Sequence, residues 1–326
     1  MRDPAFWWRK PGLASGLLSP FAAVYGAVAA ARMAGLGDRA GLPVICVGNF
    51  TLGGAGKTPA VMWLAKMLQE AGERPFCLSR GYGGSAAGPL FAAADDSASD
   101  VGDEALLLAR VTPAVVARDR VAGAKFAKAQ DATVVIMDDG LQNASLAKDF
   151  TIAVVDGRRG IGNARVFPAG PLRAPLDAQL KRCDALLIIG DADGAIPAAG
   201  KLPVFHGRLV PDAATIVALK SKNVMAFAGI GDPEKFFATL TQAGIAVAER
   251  KAFADHHRFT AGDAAALLSK AARDGLTLVT TQKDRARMAG DPALAALAAG
   301  VQVLPVTLAV DEADQLRKLV LLKTRR

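Results

Sequence analysis

The stretch Val44–Pro59 reads VICVGNFTLGGAGKTP, a short apolar segment followed by a glycine-rich turn that ends in Gly56-Lys57-Thr58. A strand, a glycine-rich loop and a helix start, in this order, are typical of the loop that binds nucleotide phosphates. Lys57 would supply a positive charge, and the Thr58 hydroxyl can bind Mg²⁺. Thr51 occupies the usual first glycine position, so a plain glycine-rich turn is the alternative interpretation. We expect eight residues to bind the nucleotide: Thr51, Leu52, Gly53, Gly54, Ala55, Gly56, Lys57 and Thr58.

The composition limits the class of protein. The chain has 326 residues, of which 52% are hydrophobic and 21% charged, which indicates one large or two ordinary domains with a packed core. The net charge of +8 favours an acidic partner, either an anionic membrane surface or a phosphorylated substrate. Nucleic acid is not expected as a partner, because aromatic residues make up only 6% of the chain and RNA-recognition motifs are absent from the sequence. The three cysteines are far apart and fit core thiols in a reducing compartment.

The N-terminal region is unusually apolar. Residues 11–31 carry no charge, and 21 residues are about enough to span a bilayer. A secretory signal peptide and an ordinary buried helix are alternatives. Interfacial residues beside the run favour a segment that lies in or dips into the cytoplasmic face of a membrane. These residues are Trp7, Trp8, Arg9 and Lys10.

The rest of the chain alternates between strand and helix patterns. This alternation predicts an α/β fold: a P-loop-type doubly wound parallel sheet domain plus a second, smaller α/β domain joined by a two-stranded linker. We place an N-terminal membrane-associating helical segment at 1–40, the P-loop domain at 41–203 and the smaller lid or substrate domain with the linker strands at 204–310. The C-terminal helix at 311–326 would return to the first domain. Residues 89–99 are expected to form a loop and residues 291–299 a helix.

Acidic residues and histidines add to the phosphate-binding loop. Asp138 and Asp139 follow the apolar strand VVIM, as in the strand that carries a carboxylate to Mg²⁺ beside a P-loop. A plain strand terminator is the alternative. Asp103 and Glu104 precede an apolar helix, where acids also complement the helix dipole. His256 lies in an Asp-His-His turn, a pattern that by itself assigns no role.

Eight sequence blocks, in order, resemble the tetraacyldisaccharide 4'-kinase family over nearly the full length. They are VGNFTLGGAGKTP, SRGYGG, VGDEALLLA, DDGLQN, GNARVFPAGPLRAP, FAGIGDPEKFF, FADHHRF and TTQKDRAR. The resemblance implies an ATP- and Mg²⁺-dependent kinase of lipid A biosynthesis. Its substrate would be a tetraacylated glucosamine disaccharide 1-phosphate, phosphorylated on the 4'-hydroxyl at the cytoplasmic face of the bacterial inner membrane. Two α/β domains would close over the site.

The resemblance also implies residue roles. Asp103 would accept the proton of the sugar hydroxyl with help from His256, and Lys57 would contact the β- and γ-phosphates. The predicted Mg²⁺ site would be formed by Thr58, Asp138, Asp139 and Glu104. Basic residues in matching blocks would bind the substrate phosphate or ATP: Arg80, Arg118, Arg120 and Arg173. The chain departs from the common family pattern at Ala174, often Glu, and at Asn143, often His.

Two other functions use the same nucleotide motifs. A membrane-peripheral P-loop ATPase or GTPase acting on a partner protein would release inorganic phosphate instead of phosphorylating a lipid. A non-catalytic nucleotide-binding scaffold is disfavoured, because Lys57, Thr58 and Asp138 are all present.

Overall fold

The computed structural model describes residues 3–194, 196–197 and 199–324. Within this part of the chain the strands form one sheet of nine strands and one of four. The large sheet contains β1 (Val44–Gly48), β2 (Pro75–Ser79), β3 (Leu90–Ala92), β4 (Ala114–Val116), β5 (Val134–Asp138), β6 (Phe150–Asp156), β7 (Ala185–Ile189), β8 (Val204–Pro211) and β13 (Val306–Val310). The small sheet contains β9 (Asn223–Ala228), β10 (Ala246–Ala252), β11 (Thr277–Thr281) and β12 (Gln302–Leu304).

Helices cover both sheets. They are α1 (Leu13–Met33), α2 (Lys57–Glu70), α3 (Ala98–Val101), α4 (Asp103–Leu108), α5 (Arg120–Ala129), α6 (Leu176–Leu180), α7 (Ala213–Leu219), α8 (Pro233–Gln242), α9 (Ala261–Asp274), α10 (Gln282–Arg287), α11 (Ala295–Gly300) and α12 (Ala313–Thr324). Short 3₁₀ turns occur at Ala5–Trp8 and Pro292–Leu294. The termini of the predicted first and last segments, residues 1–2 and 325–326, lie outside the described residues.

The large sheet has the strand order β13-β8-β7-β6-β1-β5-β2-β4-β3. Its inner pairs are parallel, and only the edge pairs β3–β4 and β8–β13 are antiparallel. The strand β1 is buried throughout and lies between β5 and β6, so the strand order reverses beside it. Ligands bind at such a reversal, outside the carboxyl ends of the strands. The predicted phosphate loop follows β1 at this position.

The small sheet is entirely parallel, with the order β10-β9-β11-β12. Its helices begin and end at the signals that the sequence carries. Thr260 and Asp263 form a reciprocal capping box at the start of α9, and Gly275 ends that helix in a left-handed conformation. Pro233 occupies the first turn of α8 behind the capping residue Asp232. The predicted α/β fold, with a doubly wound sheet and a second, smaller α/β unit, is confirmed.

The two predicted linker strands pair with each other. The strands β8 and β13 are antiparallel, with Leu209 opposite Leu308. In addition, β8 pairs in parallel with β7, so the two strands extend the large sheet. The helix α12 packs against the same sheet, where Leu316 and Val320 are fully buried in one cluster with Ile152.

Some local predictions were wrong. Residues 89–99 contain β3 and the start of α3 instead of a loop. The helix predicted at 291–299 is present, as a 3₁₀ turn that leads into α11. The short helices α6, α7 and α10 were not predicted. In α10, whose sequence is QKDRAR, four of six residues are charged, so apolar periodicity gives no signal there.

The N-terminal region is helical, and much of its apolar surface is uncovered. By length and composition α1 is the one helix among the described residues that could cross a membrane. Leu13, Leu17 and Phe21 are spaced one turn apart and are 90%, 78% and 67% exposed. Trp7, in contrast, is buried, and its indole donates a hydrogen bond to the Pro168 carbonyl at 3.0 Å. The expectation that Trp7 lies exposed beside a membrane is therefore wrong, because the ring packs inside the protein.

Candidate active site

The phosphate loop, Thr51–Thr58, connects β1 to α2. Gly53 and Gly56 have φ angles of 91° and 90°, which side chains other than glycine rarely adopt. A Cβ at Gly56 would also come within 2.9 Å of Ile189 Cδ1. The shape of the loop therefore depends on glycine at these two positions and tolerates a threonine at the displaced first position.

Asn49, to which the sequence analysis assigned no role, holds this loop together. Its side chain is fully buried and donates to the carbonyls of Thr51, at 2.8 Å, and Gly53, at 3.3 Å. Its Oδ1 accepts a hydrogen bond from Lys57 Nζ at 3.0 Å. Asn49 thus fixes both the loop backbone and the lysine. The only sequence signal was a polar residue between a buried strand and the glycine-rich turn.

Asp139 lies within a cluster of positive charge. Arg173 Nη1 is 2.9 Å from both carboxylate oxygens, and Lys57 Nζ is 3.5 Å from Oδ1. Burial acts to raise the pKa of Asp139, but Lys57 and Arg173 outweigh it and hold the pKa at about 2. Arg173 Nε also donates to the Thr51 carbonyl at 2.9 Å. Arg173, predicted to bind substrate, therefore contacts the phosphate loop and its neighbouring acid.

Asp138, at the end of β5, is the acid of the site with the fewest hydrogen bonds within the described residues. It is 2% exposed, and neither carboxylate oxygen has a hydrogen-bond partner within the described part of the chain. Burial, with the negative charges of Glu104 and Asp139, raises its pKa to about 7. An orphaned buried carboxylate beside a phosphate loop fits a divalent cation.

A complete protein cage for a metal is not present among residues 3–194, 196–197 and 199–324, where no group of three or more His, Cys, Asp or Glu side chains converges. Mg²⁺ does not need one. It commonly keeps several waters and is held by one or two carboxylates together with substrate phosphates. The pair Thr58 and Asp138 therefore fits Mg²⁺ that arrives with a nucleotide.

Asp103 and His256 come together although 153 positions of sequence separate them. Asp103 begins α4 and is 4% exposed, and His256 Nδ1 lies 3.5 Å from its Oδ2. His256 has a φ of 54° in the turn after β10, and its ring packs edge-on against Tyr82. The other oxygen of Asp103, Oδ1, has no hydrogen-bond partner within the described residues. One oxygen is thus held, and the other can accept a proton.

Two basic residues of α10 reach across to α4. Lys283 Nζ is 2.8 Å from Glu104 Oε1, and Arg287 Nε donates to Asp103 Oδ2 at 2.6 Å. Burial acts to raise the pKa of Asp103, but His256, Lys283 and Arg287 outweigh it and hold the pKa well below its usual range. Lys283 and Arg287 belong to the block TTQKDRAR, which carries part of the family resemblance but predicted no role for either residue. Their four-residue spacing, one helical turn, was the available signal.

The remaining predicted arginines differ in their surroundings. Arg120 is buried and donates to the Ala117 carbonyl at 2.6 Å, and burial lowers its pKa to about 10 despite the opposing charge of Asp138. Arg118 is exposed, donates to the Ser85 carbonyl at 3.0 Å and lines an open cleft beside α5. Arg80 is exposed at the end of β2, the strand beside β5.

The two positions that depart from the family pattern are locally satisfied. Asn143 Oδ1 accepts hydrogen bonds from the Ser145 backbone N–H and hydroxyl. Ala174 is fully buried, and its carbonyl accepts from Gln179 Nε2 at 2.7 Å. Each departure therefore has an ordinary structural role in this chain.

Comparison with known proteins agrees with this geometry. A family model described as Tetraacyldisaccharide-1-P 4'-kinase matches residues 14–325. The chain is 52% identical to tetraacyldisaccharide 4'-kinase of Rhodopseudomonas palustris (strain BisB5), over 98% of this chain and 96% of the relative. It is also 52% identical to that of Nitrobacter winogradskyi, over 98% and 97%. The "apo" form of LpxK from Aquifex aeolicus in complex with ATP superposes with a TM-score of 0.77 at 28% identity, over 96% of this chain and 100% of that one.

The phosphate loop lies where the strand order reverses, and within the described residues Asp138 and one oxygen of Asp103 have no hydrogen-bond partner. Together with the likeness to an ATP-bound kinase, this geometry is that of a P-loop phosphotransferase that uses ATP with Mg²⁺. Because its family model spans nearly the whole chain, the protein belongs to the tetraacyldisaccharide 4'-kinase family. The resemblance drawn from the eight sequence blocks is confirmed. So are the predicted activity, an ATP-dependent lipid kinase of lipid A biosynthesis, and the predicted cofactors.

Proposed function

We propose that Asp103 is the base of this kinase. It accepts the proton of the 4'-hydroxyl of a tetraacylated glucosamine disaccharide 1-phosphate, as that oxygen bonds to the γ-phosphorus of ATP and ADP leaves. The observation that carries the proposal is the buried carboxylate of Asp103, of which Oδ2 is held and Oδ1 is unpartnered within the described chain. Phosphoryl transfer depends more on positioning and charge stabilisation than on a strong base, so a carboxylate with a low pKa is sufficient.

The nucleotide would be held at the end of β1. The backbone of Thr51–Thr58 surrounds the phosphates, and Lys57 follows the charge of the γ-phosphoryl group. Mg²⁺, when bound through Thr58 and Asp138, neutralises phosphate charge. Asp139 keeps Lys57 and Arg173 in place, and Glu104, paired with Lys283, adjusts the charge around Asp138. We therefore propose Asp139 and Glu104 as supporting acids of the metal site.

The second unit would cover this site. We propose that residues 41–203 form the nucleotide-binding domain and that residues 204–310, which contain the small sheet, form the lid. Gly231, in the turn before α8, lies so close to the phosphate loop that a Cβ there would be 3.3 Å from the Gly54 nitrogen. His256 and Arg287 come from the same unit. A lid that carries these residues excludes water, which would otherwise take the phosphoryl group.

The basic residues near the site would hold the substrate phosphate. Arg80 is the strongest candidate, because it is exposed at the carboxyl edge of the sheet. Arg120 contributes charge from a buried position, and Arg118 would contact more distant parts of the headgroup. We propose that Arg173 instead acts on the phosphate loop through Thr51 and Asp139.

The substrate would be reached at the cytoplasmic face of the inner membrane. Each buried methylene contributes about 0.8 kcal/mol, so a tetraacylated lipid stays in the bilayer and the enzyme must come to it. The exposed apolar face of α1, which includes Leu17, Phe21 and Val24, supports this proposal, and so do the exposed cations Arg9 and Lys10. Such cations contribute about 1 kcal/mol each near anionic lipid, an effect that salt weakens.

A test of the membrane proposal introduces negative charge on the exposed apolar face of α1. The triple variant Leu17→Glu, Phe21→Glu and Val24→Glu places carboxylates on the exposed face of α1. The matched control places three on exposed positions of α9, as Ala265→Glu, Ala266→Glu and Ala272→Glu. We expect only the first variant to leave anionic vesicles in sedimentation and to lose activity on vesicle-borne substrate, with a smaller loss on detergent-dispersed substrate. If it still sediments and keeps full activity on vesicles, α1 is not the anchor.

A further inference from the structure

Arg287 is a buried cation from the small-sheet unit that contacts the proposed base of the large-sheet unit. Its side chain is 6% exposed, and Nε donates to Asp103 Oδ2 at 2.6 Å. We propose that Arg287 is a positioning residue of the kinase, which fixes the Asp103 carboxylate so that Oδ1 faces the sugar hydroxyl. This inference rests on the proposed role of Asp103 as the base.

The guanidinium of Arg287 is itself immobilised. Nη1 donates to the Gly229 carbonyl at 2.5 Å and to Asp284 Oδ1 at 2.8 Å. Asp284 is fully buried and accepts hydrogen bonds from the Gly229 N–H, at 3.1 Å, and from the Thr281 hydroxyl, at 2.7 Å. Because these contacts hold the planar guanidinium from one side, its Nε–H has a fixed direction. That direction sets the rotation of the Asp103 carboxylate.

His256 constrains the same carboxylate less tightly. Its Nδ1 is 3.5 Å from Asp103 Oδ2 and 3.5 Å from Arg287 Nη2, both at the outer limit of a hydrogen bond. The His256 side chain is 33% exposed, whereas that of Arg287 is nearly enclosed. Arg287 is therefore the stronger geometric constraint on Asp103, and His256 adds to it.

The arrangement matters because Asp103 has only two oxygens. With Oδ2 engaged by Arg287, Oδ1 is the acceptor left for the hydroxyl proton. Misplacement of a reacting group by about 1 Å can reduce a rate by about 10²-fold. A lysine at position 287 would keep the charge but would lack the fork that spans Asp103, Asp284 and Gly229 at once.

Three full-length variants test the inference: Arg287→Ala, Arg287→Lys and the control Arg285→Ala. Arg285 lies on the same helix, carries the same charge and, within the described residues, forms no side-chain hydrogen bond or ion pair. We expect Arg287→Ala to lower kcat about 10²-fold with the KM for ATP within about threefold of the parent value, since positioning and not nucleotide binding is lost. Guanidinium chloride, at a concentration that leaves the fold intact, should restore part of that kcat. The kcat of Arg287→Lys should remain at least about tenfold below that of the parent protein. The kcat of the control Arg285→Ala should equal that of the parent protein.

Thermal unfolding followed by circular dichroism gives the folded fraction of each variant. If Arg287→Ala does not fold, the kcat of Arg287→Lys is compared with that of the parent protein instead. The inference is overturned if kcat per folded molecule is unchanged, if only the KM for ATP rises, or if lysine restores full activity. The variant Asp103→Asn separates this result from the proposed function. If Asp103→Asn keeps full activity, Asp103 is not the base and the proposed function is contradicted. If Asp103→Asn is inactive while Arg287→Ala stays active, only the positioning role of Arg287 is contradicted.

Discussion

Replacing Asp103 by asparagine removes the proposed base with the smallest change of shape. The carbonyl oxygen of the introduced asparagine can still accept the hydrogen bond from Arg287 Nε, which spans 2.6 Å to Oδ2 in the parent protein. The amide nitrogen then takes the place of Oδ1 and presents a donor to the sugar hydroxyl. The variant therefore keeps its contact with the second unit and cannot accept the proton.

The size of the effect follows from these contacts. General-base catalysis contributes about 10²–10⁴-fold, or about 2.7–5.4 kcal/mol of transition-state stabilisation. In this variant the buried Arg287 keeps its positive charge but faces a neutral amide, while Asp284 still pairs with it at 2.8 Å, so the loss of stability should be about 1–3 kcal/mol. We expect kcat of Asp103→Asn to fall 10²–10⁴-fold while the protein stays folded and binds ATP as before.

The assay follows transfer of the labelled γ-phosphate of ATP to detergent-dispersed disaccharide 1-phosphate at saturating concentrations of both substrates, which gives kcat. A fluorescent ATP analogue measures nucleotide affinity separately. Arg285→Ala serves as the control for an ordinary charge change near the site. A kcat within a few-fold of the parent value would refute the assignment, because the Asp103 carboxylate would then not be needed to take the proton.

Three further predictions concern the same site. Asp103→Ala and His256→Ala should each lower kcat strongly, and the double variant should lose much less than the product; multiplicative losses would mean that the two act independently. Lys57→Ala should lower kcat about 10²–10³-fold, and an effect on KM alone would restrict Lys57 to binding ATP. Burial raises the pKa of Asp138 to about 7, and Mg²⁺ binds the carboxylate rather than the acid. Mg²⁺ affinity in titrations with ATP should therefore rise more steeply with pH up to about 7 than it does for ATP alone, and Asp138→Asn should show only the dependence of ATP itself.

The fold followed from the sequence because its elements are strongly patterned. Apolar segments such as β1, β7 and the first four residues of β5 must be buried on both faces, and helices separate them, so a parallel doubly wound sheet is the expected result. The loop after β1 was equally clear, because glycines, lysine and threonine occur there in order. In contrast, α10 has no apolar period and is stabilised mainly by polar contacts, so its helix was missed.

The site was predictable where a residue type carries its own chemistry. Motif and resemblance together predicted Lys57, Asp138 and the Asp103–His256 pair. In the structure His256 Nδ1 lies 3.5 Å from Asp103 Oδ2. Asn49 and Arg287 were missed, because each acts through the groups that it holds. For Arg287 this positioning depends on a contact with Asp103, 184 positions away, which no local pattern displays. Asn49 contacts the nearby Thr51, Gly53 and Lys57, but an asparagine after a strand does not by itself indicate which groups it will bind.

The central claim is that the γ-phosphate of ATP reaches the 4'-hydroxyl of the lipid disaccharide. The direct measurement incubates the protein with γ-labelled ATP, Mg²⁺ and a tetraacylated disaccharide 1-phosphate, and then identifies the labelled product by mass spectrometry and phosphorus NMR. We predict a lipid that has gained one phosphate at the 4' position, formed about 10²–10³-fold more slowly by Lys57→Ala. Label recovered only as inorganic phosphate, with the lipid unchanged, would contradict the claim and favour an ATPase.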